Sequence, residues 1–501
     1  MQPRILARRW REALLALTLI GLLAAPASAS NGPTPVTIGT KGPVSLPVFG
    51  DGQSMFRMPS SIAWNLDDQI DLDLFVFRAE LSMRNSLNDY DRGYYSFGAS
   101  GGVVLTPGRP DIDAPDEAWA DYSEARKVTV GFGVYPDMAG GSGERDKVRL
   151  TTYPETVATQ KSILFVTSQL NVAYTPAKWI AFGLGLQVIA AQLELRTLVG
   201  GGSTPLEGSP TINGVPIPGN PTYGDFLGLF ASDQGSDPST FFSSDLSTVQ
   251  FGAIASVSLR PHERFGLGLS YRPRSWAPFD FEGKAKIDAT RTFEDALGGL
   301  SQPIQDLFLQ TLPDQGQFGF VSEYDVRLRG IHVPQQVRLS AAFWPKDWLV
   351  LGFEVAWIEW HRAFRATSIK LNDGSNRDLS FVIGSDRIDS TMNTRWRNQW
   401  VYSGYLAVGV TDALTLRLGF SYGEIPFNED LQGVAPSAGF TSTHLSVGGG
   451  YRIGPVDLMV LVEHAFHDSK RAGLNTEAVT AQRTRYASKQ TFVHFGVSYR
   501  F

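Results

Sequence analysis

The sequence has no cysteine among its 501 residues, and only 19% of its residues are charged. The missing cysteines exclude disulfide scaffolds, thiolate zinc sites, cysteine nucleophiles and iron–sulfur clusters. The charged fraction lies below the roughly 25% of a soluble domain. Beyond the N-terminal segment, no run approaches the ~20 consecutive apolar residues of a membrane-spanning helix, which excludes a helical membrane protein.

The N-terminus has the three parts of a secretory signal. A start rich in arginine up to Arg11 is followed by an apolar stretch over 13–25 and by the small-residue cleavage sequence Ala27-Ser28-Ala29. We therefore predict a signal peptide over 1–29 and a mature chain that starts at Ser30. Its removal makes the chain more acidic than the net charge of −6 of the full sequence, which argues against nucleic-acid partners.

The strongest signal along the chain is alternation of apolar and polar or small residues. In the last eleven residues, from Thr491 to Phe501, every second side chain is apolar. A strand of this length rises about 33 Å, or about 25 Å when it is tilted, which is the height of the apolar band of an outer-membrane barrel. The same pattern recurs in segments 180–188, 249–259, 265–272 and 414–422.

A soluble sandwich also alternates, but it cannot supply so many faces of small and charged residues. The connections support a barrel instead, because short turns alternate with long loops. Five pairs of alternating segments are joined by very short turns, such as Pro261-His262-Glu263-Arg264. Short inner turns and long outer loops are typical of such barrels. We predict long outer loops over 137–159, 199–247, 291–324, 373–392, 425–437 and 471–484.

The fold class that follows is all-β: a transmembrane antiparallel barrel of about fourteen strands over 69–501. An even number of strands returns both termini to the periplasm, in agreement with the export signal. Tryptophans near the ends of the predicted strands indicate aromatic belts at the membrane interfaces. They are Trp179, Trp348, Trp357, Trp360, Trp396 and Trp400.

Residues 30–68 do not follow the barrel pattern. The stretch is rich in glycine and proline, which fits a disordered periplasmic tail. It also contains apolar side chains that a free tail does not need, and these favour a plug inside the barrel. These side chains are Met55, Phe56, Met58, Ile62 and Trp64.

At this point the chain resembles the FadL/TodX family of outer-membrane transporters of long-chain fatty acids and other hydrophobic compounds. The resemblance rests on the segment before the first strand, the strand count, the outer loops, and phrases such as 170–174, 182–186 and 266–272. It implies an N-terminal plug, or hatch, and short helices in the outer loops. One departure is Met58-Pro59-Ser60-Ser61, where the family usually has Asn-Pro-Ala.

Two predicted outer loops carry apolar side chains that water-facing loops do not require. In 291–324 these side chains are spaced by three and four residues, which indicates amphipathic helix. The resemblance implies a groove between the two loops that captures the substrate; simple packing of the loops on each other is the alternative. The predicted groove residues are Phe226, Leu227, Leu229, Phe230, Leu297, Leu300, Ile304, Leu307 and Phe308.

Two further sets of residues are predicted from strand phase and resemblance. Arg338, Arg417 and Arg452 are polar candidates on the inner faces, where a guanidinium can pair with a substrate carboxylate or with a neighbouring acid. Family members have a kink in the third strand beside the plug, which implies a lateral exit here. The alternative is that glycines in that strand only make room for the plug. The predicted gate and hatch residues are Met58, Pro59, Ser60, Gly131 and Gly133.

The predicted function is passive transport of long-chain fatty acids or other hydrophobic compounds, including aromatic hydrocarbons, across the bacterial outer membrane. A general diffusion porin and an outer-membrane lipid enzyme are the alternatives. The best enzyme candidate, His464, lies on the lipid face while Ser446 faces inward, and there is no Gly-x-Ser-x-Gly sequence. No cofactor or metal is expected. The expected partners are hydrophobic small molecules, outer-membrane lipids and, through the terminal Phe501, the assembly machinery.

Overall fold

The structure is a computed structural model, and it describes most of the chain after the predicted signal peptide. The segment 1–29 and its cleavage site lie outside the described residues. The described residues are 44–47, 50, 52–65, 67–84, 89–107, 127–150, 153–200, 211–212, 215–216, 219, 239–298, 301–393, 396–426, 441–471 and 485–501.

The chain forms one closed antiparallel β-barrel. Sequential neighbours pair around the wall, and the first strand pairs with the last from Gln69↔Arg500 to Arg84↔Arg485, which closes it. The strands are β1 Gln69–Arg84, β2 Asp89–Leu105, β3 Lys127–Leu150, β4 Tyr153–Ala177, β5 Ile180–Gly200, β6 Thr211–Ile212, β7 Val215–Pro216, β8 Ser239–His262, β9 Phe265–Arg272, β10 Phe279–Asp288, β11 Val321–Ile331, β12 Gln336–Lys346, β13 Leu349–Ile358, β14 Ala366–Asn372, β15 Ile388–Asn393, β16 Gln399–Gly409, β17 Leu414–Gly423, β18 Thr443–Ile453, β19 Val456–Arg471 and β20 Arg485–Arg500.

Eighteen of these strands form the wall, while β6 and β7 form a separate hairpin. Within the described residues, four spans of the wall are each divided in two: β9–β10, β11–β12, β13–β14 and β15–β16. The wall therefore has fourteen spans, as predicted. The breaks are adjacent, because Arg272 and Ile358 both pair with Gln336 at the inner side of the breaks, and Asn393 pairs with Ala366 at the outer side.

Short helices fill the connections at one end of the barrel and one of the breaks. Ser54–Phe56 and Pro59–Trp64 are 3-10 helices that precede β1. The α-helices are α1 Thr290–Gly298, α2 Gln302–Thr311, α3 Trp360–Ala363 and α4 Arg377–Ile383. Helices α1 and α2 lie in the predicted loop 291–324. Of the helices in the described part of the chain, none has the length and apolarity to span a membrane.

The predicted outer loop over 137–159 is wrong. β3 continues past Pro136 to Leu150, and β4 begins at Tyr153, so the connection is only 151–152. The paired register of the two strands extends through this region with three irregularities. Glycine and charged residues dominate this stretch, so it lacks the apolar alternation that marks a lipid-facing strand. A strand above the membrane does not need that alternation, and for this reason the pattern predicted a loop.

In the divided spans, the outward side chains are apolar in one half and polar in the other, and the inward side chains show the reverse. In β9, Leu269 and Tyr271 are exposed on the outside, while Ser270 is buried on the inside. In β10, the buried inward residue is Phe281, and Lys284 is exposed on the outside. An apolar exterior suits lipid, whereas a charged exterior suits water. The barrel therefore leaves the membrane near the breaks and continues above it.

Strand β11 repeats this reversal above the membrane. Its inward side chains, such as Tyr324 and Leu328, are buried and largely apolar. Its outward side chains form ion pairs: Arg327 and Arg329 both contact Asp280 of β10. Hydrogen bonds from these two guanidiniums hold the pKa of Asp280 well below its usual range. The outer half thus has the charged, water-facing exterior of a soluble protein.

The tryptophans show the same division. Trp179, Trp348 and Trp400 are exposed by 55%, 54% and 46%, as belt residues require. Trp360 is only 2% exposed, so its predicted place at the interface is wrong. The break between β13 and β14 turns its ring into the barrel, where the indole Nε1 donates a 2.9 Å hydrogen bond to Gln399 Oε1.

Candidate transport pathway

The inner segment, which we define as residues 52–65, lies against glycines of the barrel wall. A Cβ atom on Gly131 would lie 2.5 Å from Met55 Sδ, and one on Gly133 would lie 2.5 Å from Phe56 Cζ. A Cβ on Gly183 would lie 2.1 Å from the backbone nitrogen of Ser60. These distances are too short for any side chain, so the glycines of β3 and β5 leave the space that the inner segment occupies.

Hydrogen bonds fix the inner segment at Ser60 and at its first residue, Gly52. Ser60 N donates to Ser256 Oγ at 2.8 Å, and the hydroxyls of Ser60 and Ser258 are 2.6 Å apart. Gly52 N donates to Asp71 Oδ2 at 2.7 Å. Met58 and Ser60 are fully buried. The predicted hatch residues Met58 and Ser60 therefore pack inside the barrel. The Asp71 carboxylate accepts the hydrogen bond that holds the start of the inner segment.

Residues 44–47 run along the opposite wall of the lumen. Val44 packs with Tyr405 and Ala407, on the inner face of β16. Ser45 N donates a 3.0 Å hydrogen bond to Glu354 Oε2 of β13. Residues 44–47 thus contribute to the filling of the lumen on the side away from β3.

The guanidinium of Arg338, one of the predicted lumen residues, is hydrogen-bonded to protein side chains. Its Nη1 donates to Glu354 Oε1 at 2.8 Å, and its Nη2 donates to Gln336 Oε1 at 3.0 Å. Burial, and then the nearby Arg338 cation, lower the pKa of Arg57 in the inner segment to about 10. Arg57 therefore remains protonated at neutral pH and adds a positive charge to the buried polar group formed by Arg338, Glu354 and Gln336.

Above the inner segment, the lumen is filled by one apolar cluster, which we call the upper cluster. It extends from Phe293 of α1 and Phe308 of α2, under the outer helices, to Phe165 of β4. Phe165 and Phe279 meet edge to face at 5.0 Å between ring centroids. Its other large buried members include Ile189, Phe281, Phe320, Tyr324, Leu328, Trp360 and Phe364.

The predicted groove residues are divided between this cluster and the surface. Phe308 is buried, Leu297 is partly buried against the cluster, and Ile304 is 39% exposed. Leu307 is half-buried on α2. Leu300 and the four residues predicted in the third outer loop, Phe226, Leu227, Leu229 and Phe230, lie outside the described residues.

The upper cluster meets the inner segment at a buried ion pair. Arg272, at the end of β9, donates from Nη1 to Asp137 Oδ1 at 2.9 Å and also contacts the second carboxylate oxygen. Its Nε donates to Gln187 Oε1 at 3.0 Å. Thr167 Oγ1 donates to Asp137 Oδ2 at 3.1 Å. Both members of the pair are almost completely buried, with side-chain exposures of 5% and 3%.

The wall is incomplete beside this pair. Within the described residues, β2 and β3 pair only from Gly101↔Val134 to Leu105↔Val130, although β2 starts at Asp89 and β3 extends to Leu150. Pro136 cannot donate a ladder hydrogen bond, which helps to end the pairing. We call the separation of β2 and β3 beyond Val134 the lateral gap.

Two other predicted arginines occupy different places. Arg452 lies at the short-turn end of β18, is 48% exposed and pairs with Asp457 at 2.8 Å. It therefore belongs to the mouth of the barrel, not to its interior, because the strand ends there. Arg417 is half-buried on β17, and its Nη1 has no hydrogen-bond partner in the described part of the chain.

The inner wall also contains buried histidines paired with acids. His444 Nδ1 lies 2.7 Å from Glu463 Oε1, and His494 Nδ1 lies 3.1 Å from Asp73 Oδ2. The enzyme candidate His464 instead contacts Thr491 Oγ1 at 2.9 Å. No three histidine or acidic residues of the described ranges are grouped so as to hold a metal ion.

A closed fourteen-stranded wall with a lipid-facing apolar band and a filled lumen defines a bacterial outer-membrane β-barrel. The model of one protein family, described as outer membrane protein transport protein (OMPP1/FadL/TodX), matches residues 124–501. The chain belongs to this family of outer-membrane transporters of hydrophobic compounds. Among curated proteins, none matches the sequence.

Solved structures share the fold at low sequence identity. A FadL homologue of Pseudomonas aeruginosa aligns with a TM-score of 0.64 and 14% identity, over 93% of this chain and 98% of that chain. The Pseudomonas putida toluene transporter TodX aligns at 0.64 and 15%, over 95% and 100%. The Ralstonia pickettii toluene transporter TbuX aligns at 0.60 and 13%, over 92% and 97%.

The sequence patterns do not indicate the buried ion pair between Asp137 and Arg272. Asp137 lies in the predicted loop 137–159, and Arg272 is only one polar residue of an alternating strand. No local pattern links two residues so far apart in the chain. The signal that the sequence offers for Asp137 is its position directly after Pro136, which cannot donate a ladder hydrogen bond.

Proposed function

We propose that this protein passively transports uncharged hydrophobic molecules, of the size of monoaromatic hydrocarbons, across the outer membrane. The substrate is captured at α1 and α2, passes through the upper cluster and leaves sideways through the lateral gap into the membrane. Two relatives of similar fold are described as toluene transporters, and another as a monoaromatic hydrocarbon channel.

One observation carries the preference for uncharged substrates: the apolar route ends at a cation that the protein has already neutralised. Arg272 holds Asp137 with two contacts and Gln187 with a third. Arg338 is neutralised by Glu354 in the same way. A carboxylate substrate would have to displace a protein carboxylate, whereas an uncharged ring needs only apolar contact.

Lateral exit has a physical reason. Release of a hydrophobic molecule into the aqueous periplasm exposes its apolar surface again, at about 0.8 kcal/mol for each CH2 group. The inner segment packs closely against Gly131, Gly133 and Gly183, so the direct route to the periplasm is filled. The lateral gap begins beside the same glycines, and its first part lies next to Phe97 and Tyr95, exposed apolar residues of β2 that face lipid.

The test is uptake of radiolabelled toluene by cells in which the lateral gap can be closed with a disulfide. Ala99→Cys and Pro136→Cys occupy the first outward positions beyond the last paired residues of β2 and β3. The matched control is Leu186→Cys with Ala253→Cys, which are already opposite each other on the paired strands β5 and β8. The natural chain has no cysteine that would interfere.

Oxidation should stop toluene uptake by the variant with Ala99→Cys and Pro136→Cys and leave uptake by the control variant unchanged. Reduction of the disulfide should restore uptake by the first variant. Full uptake with the gap cross-linked in a folded barrel would eliminate the lateral route. Equal uptake of toluene by cells that lack the protein would eliminate the proposed function altogether.

Long-chain fatty acids are the second candidate, and one observation favours them. Arg417 lies on the inner face of β17, and its Nη1 lacks a hydrogen-bond partner among the described residues. A free guanidinium donor suits a carboxylate. If fatty acids are the substrate, Arg417→Gln lowers oleate uptake and leaves toluene uptake unchanged; no oleate uptake by the natural protein would exclude them.

A further inference from the structure

The third span of the wall contains a β-bulge at Asp137. Pro136 pairs with Val166 of β4 and Met138 pairs with Phe165, so Asp137 has no partner between them. A bulge bends its strand and redirects the extra side chain. Here the carboxylate points into the lumen, where Asp137 is only 2% exposed.

The partner that holds this carboxylate comes from across the lumen. Arg272 belongs to the seventh span and Asp137 to the third, and their side chains meet through two contacts between the guanidinium and the carboxylate. A bidentate pair restricts orientation as well as distance. Gln187 and Thr167 complete the hydrogen bonds of the two ions, so the geometry is held from both sides.

Both ends of the pair lie at irregular points of the wall. Arg272 is the last residue of β9, and the break of the seventh span begins directly after it. Asp137 lies at the bulge from which β3 departs from β2. The pair therefore connects the point where β3 separates from β2 to the break after β9, where the backbone also leaves regular strand pairing.

The inner segment is joined to the same point. Tyr135, two residues before the bulge, packs on Phe56 with tilted rings whose centroids are 4.0 Å apart. Gln169 receives a hydrogen bond from Gln187 at 2.7 Å and donates one to Met55 O at 3.0 Å. The bulge is thus held between the ion pair above and the inner segment below.

We propose that the Asp137–Arg272 pair is a clasp that holds the β3 bulge inward and thereby keeps the lateral gap open. The pair acts as a positioning element and does not bind substrate. Without it, the freed strand returns towards β2, and the gap narrows. This inference rests on the lateral exit proposed above, and it adds the residues that set the width of that exit.

The rate of disulfide formation between Ala99→Cys and Pro136→Cys measures how often the two edges of the gap meet. All variants are compared in this same cysteine background, so the loss of Pro136 is constant. Asp137→Asn removes the negative partner. Asp137→Arg combined with Arg272→Asp restores the pair with its charges exchanged. The control Glu354→Gln breaks another buried pair, Arg338–Glu354, which lies on β12 and β13 and not on β3.

We expect Asp137→Asn to cross-link severalfold faster than the background and, in the reduced state, to take up toluene severalfold more slowly. The exchanged pair should reverse both changes at least in part, and Glu354→Gln should cross-link at the background rate. Heat-dependent gel mobility identifies the variants that have folded into barrels.

An unchanged cross-linking rate in folded Asp137→Asn would overturn the clasp, as would an equal acceleration by Glu354→Gln. The proposed function is judged separately, because it depends on whether the completed disulfide stops uptake. If the disulfide has no effect on uptake while Asp137→Asn accelerates its formation, the clasp stands and the lateral route fails.

Discussion

The membrane half and the outer half of the barrel use the same strands with opposite polarity. In the seventh span, Leu269 faces lipid and Ser270 faces the lumen, whereas Lys284 faces water and Phe281 faces the lumen. Alternation alone is the same in both halves. What differs is the solvent outside and the material inside: the inner segment, packed against polar and small wall residues such as Ser256 and Gly183, fills one half, and the upper cluster fills the other.

The comparison explains why the wall is broken between the two halves. A regular strand keeps all its odd side chains on one face, and a change of register moves them to the other. The irregular residues 273–278 make such an exchange, because the inward side chains have even numbers in β9 and odd numbers in β10. The irregular residues 332–335 separate β11 from β12 without exchanging the faces. Ser275 N bonds to Val333 O at 3.3 Å, so the breaks remain connected to each other.

The largest difference between the halves should appear when buried side chains are truncated. Phe279→Ala removes a fully buried ring of the upper cluster, and we expect a loss of about 3–5 kcal/mol in the free energy of unfolding. Ser270→Ala, buried on the inner face of the membrane half, should cost less than about 1.5 kcal/mol. Urea titration of the refolded barrels in lipid vesicles measures both, and similar losses would contradict the comparison.

The second prediction concerns the outside of the wall. Leu269→Arg places a charge against lipid and should destabilise the barrel by about 2–4 kcal/mol. Lys284→Gln, on the outer half of the same span, should leave the urea midpoint unchanged because its side chain already faces water. A large effect of Lys284→Gln on the urea midpoint would mean that the membrane extends beyond the break between β9 and β10.

The third prediction concerns what fills the membrane half. Gly183→Val drives a side chain into the space of Ser60, where even a Cβ atom would lie 2.1 Å from the backbone nitrogen. Overpacking of this kind costs about 1–3 kcal/mol, which displacement of the inner segment relieves. We expect a closed natural protein and a conducting Gly183→Val variant in planar bilayers; a natural protein with a large ohmic conductance would support a porin.

The smallest effect is expected at the surface of the outer helices. Ile304 is 39% exposed on α2, so Ile304→Ser should hardly change stability. If α2 captures the substrate, the same change lowers toluene uptake at low concentration and not at saturation. Gln310→Ser, exposed on the same helix, is the matched control. Equal uptake curves for both variants would limit α2 to packing.

Much of the barrel is predictable because lipid imposes one repeated requirement on every strand that crosses it. The apolar alternation of Val493, Phe495 and Val497 indicates strand, face and length together. The fourteen spans, the outer-membrane location and the helices in 291–324 follow from that pattern and from the resemblance. The loop predicted over 137–159 failed because a strand above the membrane is free of the requirement.

Local sequence by itself thus determined the lipid-facing wall, since each strand meets the same solvent independently of its neighbours. Only the tertiary structure decided what the lumen contains. The seating of Met55 against Gly131, the inward turn of Trp360 and the Asp137–Arg272 pair each join residues from separate strands or segments. Such contacts depend on the closure of the barrel, which brings distant strands face to face, and no periodicity within one strand encodes them.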